Sequence, residues 1–177
     1  MTTNSSDQGL PSVELATSGT IHSGLQDGCF TLLLIGDVRL VWCVALETYC
    51  ERIFATEKVE RFFVDLRQAL NLDSTTLGVL AKLGMLCKTR LGFAAELSFA
   101  SEDIERLIVS MSFKSVFEML PAGSEPSIDQ EQLKPLQATD CGEEEIKQSV
   151  LDAHCALSEL SEENKNKFNE LINTLKG

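Results

Sequence analysis

Two apolar runs, CFTLLLI (29–35) and RLVWCVAL (39–46), flank a Gly36–Asp37 pair. The first is apolar at successive positions, the pattern of a strand covered on both faces. The second puts Leu40, Trp42, Val44 and Leu46 on one face and Val41, Cys43 and Ala45 on the other. Two strands of similar length joined by a short turn predict an antiparallel hairpin. Asp37 then caps backbone amides at the corner, and Trp42, the only tryptophan, returns into the core.

The period then changes. Val59, Phe62, Phe63, Leu66 and Leu70 recur as the stripe of an amphipathic helix, with Thr56 as its start and Asn71 and Asp73 as its stop. A shorter helix is expected over 75–87 through Leu77, Leu80, Ala81 and Leu83, weakened by Gly78 and Gly84. Alternation returns in FAAELSFA (93–100) and LIVSMSFK (107–114), with ASEDIE between them as a hairpin loop. Strands, a helical insert and strands again predict an α+β chain in which a helical insert interrupts an antiparallel β-sandwich or barrel.

Around this head, residues 19–120, lie a polar start (1–18) expected to be disordered and a Pro-rich linker (121–142). From 143 to 177 the spacing of Ile146, Val150, Ala153, Leu157 and Leu160 is that of coiled-coil core positions, and Leu171 continues the stripe in a shifted phase. A continuous helix there is about 50 Å long. Its apolar stripe is expected to pair with a second copy or with a partner helix, the alternative being a helix folded back on the head.

Composition narrows the chemistry. The formal net charge of the 177 residues is -12, which does not favour sequence-independent binding to nucleic acid. Arg52, Lys58, Arg61 and Arg67 are the nearest approach to a basic group. The start MTTNSSDQGLPSVE has neither part of a secretory signal, and no apolar run is long enough to span a bilayer, so an intracellular chain without a membrane segment is expected. The six cysteines form no Cys-x-x-Cys unit and are expected to be free and mostly buried. His22 and His154 are unpaired with cysteines at ligand spacing, which argues against zinc, and both are expected at the surface. No phosphate-binding or nucleophile motif occurs. No enzyme activity, cofactor or metal is expected.

An apolar strand, a small residue, Asp, four residues and then Trp (Gly36, Asp37 and Trp42) resembles the head-domain hairpin of the non-homologous end-joining scaffolds, the XLF and PAXX superfamily. In that family the small residue is usually Ser or Thr. FFVDLRQALN, with Leu66 and Arg67, is similar to the helix that the ligase IV partner of the family carries between its third and fourth strands, and VSMSFKSVFEMLP resembles the last head strands. The resemblance implies an antiparallel β-sandwich or barrel head with a helix-turn-helix insert, followed by a C-terminal coiled-coil stalk, in a nuclear, non-enzymatic homodimer. Such a chain would bridge other repair scaffolds or a ligase at double-strand breaks, with weak or indirect DNA contact. The chain departs from the family in its Pro-rich linker, and its end, LINTLKG, lacks the basic Ku-binding tail, which leaves Ku binding in doubt. The same head also serves centriolar and basal-body proteins, so a cytoplasmic or centrosomal structural module is the alternative.

Overall fold

In the computed structural model, which describes residues 19–39, 42–138 and 140–177, the chain does not turn at Gly36–Asp37. Strand β2 (Cys29–Val38) runs through the pair, with Gly36 at φ 74°. The hairpin lies earlier, at Asp27–Gly28, where φ values of 49° and 77° suit a two-residue turn of the type that Asp-Gly favours. It joins β2 to β1 (Thr20–Gln26), which pairs with it antiparallel from Gln26↔Cys29 to Thr20↔Ile35. The expected second strand is instead helix α1 (Cys43–Thr56), with Trp42 as its N-cap. Leu40 and Val41 lie outside the described residues. Cys43, Leu46, Cys50 and Phe54, spaced 3-4-4, are its buried stripe, so the apparent alternation through Val44 and Leu46 belongs to the front of a helix.

The expected helix over 59–70 is likewise a strand, β3 (Arg61–Leu72). Its residues Phe62 to Leu66 are buried consecutively, as befits a strand covered on both faces, and that run imitates helical spacing. Helix α2 (Ser74–Leu86) stands where the shorter helix was expected, and β4 (Ala95–Phe99) where a strand was. The expected strand from Leu107 belongs to helix α3 (Glu102–Ser110). Ser101 caps it by accepting from the Asp103 N–H, its first turn is acidic, and Ile104 and Ile108 are its inward positions. A short strand, β5 (Phe117–Met119), and a shorter one within the expected linker, β6 (Lys134–Pro135), complete the sheet.

The sheet order is β5-β4-β3-β2-β1-β6. Strands β2 to β5 are parallel neighbours, while β1 pairs antiparallel with both β2 and β6. The chain is therefore α+β with a mixed six-stranded sheet, not an antiparallel sandwich or barrel. Each parallel step needs a crossover, and α1, α2 and α3 are those crossovers.

One face of the sheet, through Phe30, Leu32, Leu34, Phe62, Val64, Leu66 and Leu97, shares a single core with α1 and α2. Phe30, Phe54 and Phe62 form an aromatic cluster with centroids 5.3 to 6.0 Å apart. On the other face Thr31, Leu33, Phe63, Asp65 and Ser98 are also buried. Residues 121–136 cross this face as a strap from the β5 edge to the β1 edge, so the expected linker is a structural cover. Keeping Leu33 and Phe63 from water contributes about 1.5–3 kcal/mol each.

The C-terminal stripe is used within the chain. It forms two helices, α4 (Glu143–Glu159) and α5 (Glu162–Lys176), broken at Leu160–Ser161, where Ser161 caps α5 through the Asn164 N–H. Asn164 is fully buried, and its amide donates to the Met111 and Leu157 carbonyls, both at 2.9 Å. A continuous coiled-coil rod is thus replaced by a hairpin against α2. Ala153 and Leu157 belong to the main core, Val150 and Leu160 are half-buried, and Ile146 and Leu171 stay exposed.

The approach of α4 to α2 is set by Gly78, where an added Cβ would stand 2.2 Å from the Ala153 carbonyl oxygen. Replacing Gly78 by Ala gains about 1 kcal/mol of helix propensity but must push two helix backbones apart. The expected net effect is a loss of about 1–2 kcal/mol, read as a lower midpoint in urea or thermal unfolding. An unchanged or raised midpoint would contradict the packing described.

Candidate functional site

Open sheets with parallel strands place their sites at the carboxyl ends of those strands. Here that edge carries Asp37 at the end of β2 and Arg39 just past it, Leu70 to Leu72 from β3, and the Asp73 cap and first turn of α2. Asp37, expected to cap a corner, instead pairs with Arg39 at 2.6 Å. The Arg39 hydrogen bonds are the main reason its carboxyl is held below the usual range. Between the pairs Gly36↔Ala69 and Asp37↔Asn71, β3 carries one residue more than β2. That bulged residue is Leu70, and it is 78% exposed.

Asp73, expected to end a helix, starts one. Its side chain accepts from the Thr76 N–H at 2.8 Å, and the Thr76 hydroxyl reaches the Val38 carbonyl at 3.4 Å, tying α2 to the end of β2. Ser74 follows the cap, with its hydroxyl 3.0 Å from His154 Nε2. His154 Nδ1 lies 2.7 Å from the Val150 carbonyl, which only accepts, so Nδ1 carries the proton. In the neutral ring Nε2 then accepts from Ser74.

This is the distance of a nucleophile and its base. The surroundings are those of a structural clasp. His154, expected at the surface, is 3% exposed and its ring sits 5.5 Å from Phe168. A cleft of about 380 Å³ between α1 and residues 136–145, and a groove between the start of α4 and Leu175, both lie elsewhere. Among the described residues no group of three or more His, Cys, Asp or Glu is placed to hold a metal ion.

The other expected residues serve the framework. Leu66 is fully buried, and Trp42, expected in the core, is half-buried at its margin. Arg67 forks onto Asp65 through Nε and NH2 at 2.9 and 2.7 Å, from a strand and not from a helix. Arg61 pairs with Glu96 and Lys58 with Glu60, so three of the four cations in the basic group are neutralised locally. Arg52 lies over the Tyr49 ring, 5.4 Å from its centroid. Cys29, Cys43, Cys50 and Cys87 are buried, and Cys141 and Cys155 are half-buried. No helix of the described residues is long and apolar enough to cross a membrane.

No protein-family model matches the chain, and no curated protein matches it in sequence.

The pairing of Ser74 and His154, eighty positions apart in sequence, left no local signal. The Asp-Ser-Thr-Thr run before LGVL was legible as a helix start, had β3 been read as a strand. His154→Ala is expected to cost about 2–4 kcal/mol, through a lost buried ring and an unpaired Ser74 hydroxyl, measured by urea unfolding. A loss below about 0.5 kcal/mol, the scale of surface substitutions, would contradict the clasp. Burial pushes the Cys43 and Cys87 thiols up to about 12. In native protein at pH 8 they should therefore resist alkylation while the half-buried Cys155 reacts. Labelling of all at one rate would contradict this assignment.

Proposed function

We propose that the chain is a non-catalytic partner-binding module, a scaffold whose docking surface is the carboxyl edge of the parallel strands. The observation that carries this reading is Leu70. A large apolar side chain bulged out of a central strand does nothing for the core, and it stands beside Asp37, Arg39 and Asn71. An apolar anchor within a polar rim is the arrangement of a protein-binding hot spot. The Ser74–His154 clasp, with the His154 ring buried against Phe168, supports binding over catalysis.

The end-joining and centriolar versions of a scaffold depend on an antiparallel head and a coiled-coil stalk. The mixed sheet and the folded-back hairpin lend those versions no support, and the general binding role is what the fold favours. A homodimer through the C-terminal stripe would have to rely on Ile146 and Leu171, since Ala153 and Leu157 are committed to the chain's own core.

The test is a photo-crosslinking residue at position 70, with the same residue at the exposed Val109 on α3 as control, in cells that make the protein. A discrete protein adduct is expected at 70 and not at 109. Leu70→Asp should weaken the isolated complex by about 30-fold or more, the effect of losing a hot spot. Equal labelling at the two positions, or a hydrolytic activity abolished by Ser74→Ala, would overturn the reading.

A further inference from the structure

The strap on the second face of the sheet is held in the way a bound peptide is held. The Glu125 carboxylate accepts from the Ser98 hydroxyl at 2.9 Å and lies 3.7 Å from Arg67 NH1, while its other oxygen takes the Gly123 N–H at 2.9 Å. Ser98 is 1% exposed, so this is a built receptor group and not a surface encounter. Four residues on, the Gln26 side chain reads the backbone of Asp129 with both ends of its amide. Nε2 donates to the Asp129 carbonyl at 2.9 Å, and Oε1 accepts from its N–H at 3.0 Å. Another four residues on, Leu133 is buried against Gly24, where an added Cβ would meet Leu133 Cδ2 at 3.0 Å. The strap then adds a strand to the β1 edge through Ser23↔Lys134 and His22↔Pro135, and the Leu136 N–H reaches the Ile21 carbonyl at 2.7 Å.

Carboxylate recognition, two-pronged reading of a main chain, a notch for one leucine and edge-strand addition are the means by which domains bind extended peptides. The strap meets these groups with few commitments of its own. Its one helical piece is a single turn at Gln130–Gln132, and Leu133 is its one deeply buried side chain. We propose that the strap is a built-in ligand of a peptide-binding face. The outside occupant is an extended acidic peptide of a partner protein, with a carboxylate eight residues before a leucine. Arg67, beyond the two bonds it gives Asp65, and Ser98 supply the charge complementarity for that carboxylate. The face is separate from the Leu70 edge and stands without it.

The test uses the full chain with Glu125→Ala and Leu133→Ala together, which loosen the strap but leave its receptor intact. The probe is a fluorescent peptide of the strap's own sequence, SEPSIDQEQLKPL (124–136). The variant should bind it at least about tenfold more tightly than the unaltered chain does, and Arg67→Ala or Gln26→Ala added to the variant should weaken binding about tenfold or more. Equal binding to both chains, or binding indifferent to Gln26 and Arg67, would overturn the proposal. Hydrogen exchange of the unaltered chain needs no variant to fold. Amides of 121–136 should open far faster than those of β2 and β3, and exchange of strap and sheet together would equally overturn it.

Discussion

The parallel pairing of β2 with β3 is the constraint on which the rest of the molecule depends. Parallel neighbours cannot be joined by a tight turn, so the chain must leave the sheet after Val38 and return at Arg61, and α1 is that excursion. The same rule generates α2 and α3. It also gathers the strands' carboxyl ends at one edge, where Asp37 meets the Leu70–Asp73 segment although the two lie far apart in sequence. A sheet with helices packed on one face leaves its other face to be covered. Residues 121–136 do so largely with polar contacts, and the chain then closes over α2 with the α4–α5 hairpin.

Elements whose period matched their environment were legible in the sequence. The alternation of residues 95–99 gave β4, and the apolar positions of 77–83 gave α2 despite two glycines. The glycine that weakened that helix on propensity is what admits α4 at close range. The misread elements share a physical cause. A strand buried on both faces, such as β3, has no period of two, so Phe62, Phe63 and Leu66 fit a helical stripe equally well. In α3 only Ile104 and Ile108 turn fully inward, and the half-buried Leu107, the exposed Val109 and the buried Met111 just past the helix imitated the alternation of a strand. The Asp27–Gly28 turn carried an explicit hairpin signal that the apolar runs around Gly36 overshadowed.

The candidate site was less legible than the fold. Asp37 was singled out, but as the corner of a hairpin, and its role as the Arg39 partner on a strand end follows only once β2 is seen to continue. Leu70 was assigned to a helix stripe and is instead the bulged residue of β3, a distinction that one skipped register position creates. His154 looked like a surface residue because it sits on a polar-looking helix. The hairpin break at Ser161 brings Phe168 back beside it and turns it into a clasp. The chain's charge balance follows the same logic of local use, since Arg39, Arg61 and Arg67 each serve a carboxylate of the sheet.

The central claim is that the carboxyl edge of the parallel strands is a docking surface. Amide chemical-shift mapping of the isotopically labelled chain, on titration with its isolated partner, tests it most directly. The account predicts shifts concentrated at Asp37, Arg39 and Leu70 to Asp73, with α5 unmoved. Shifts confined to Ile146, Leu171 and the open end of the α4–α5 hairpin would contradict it.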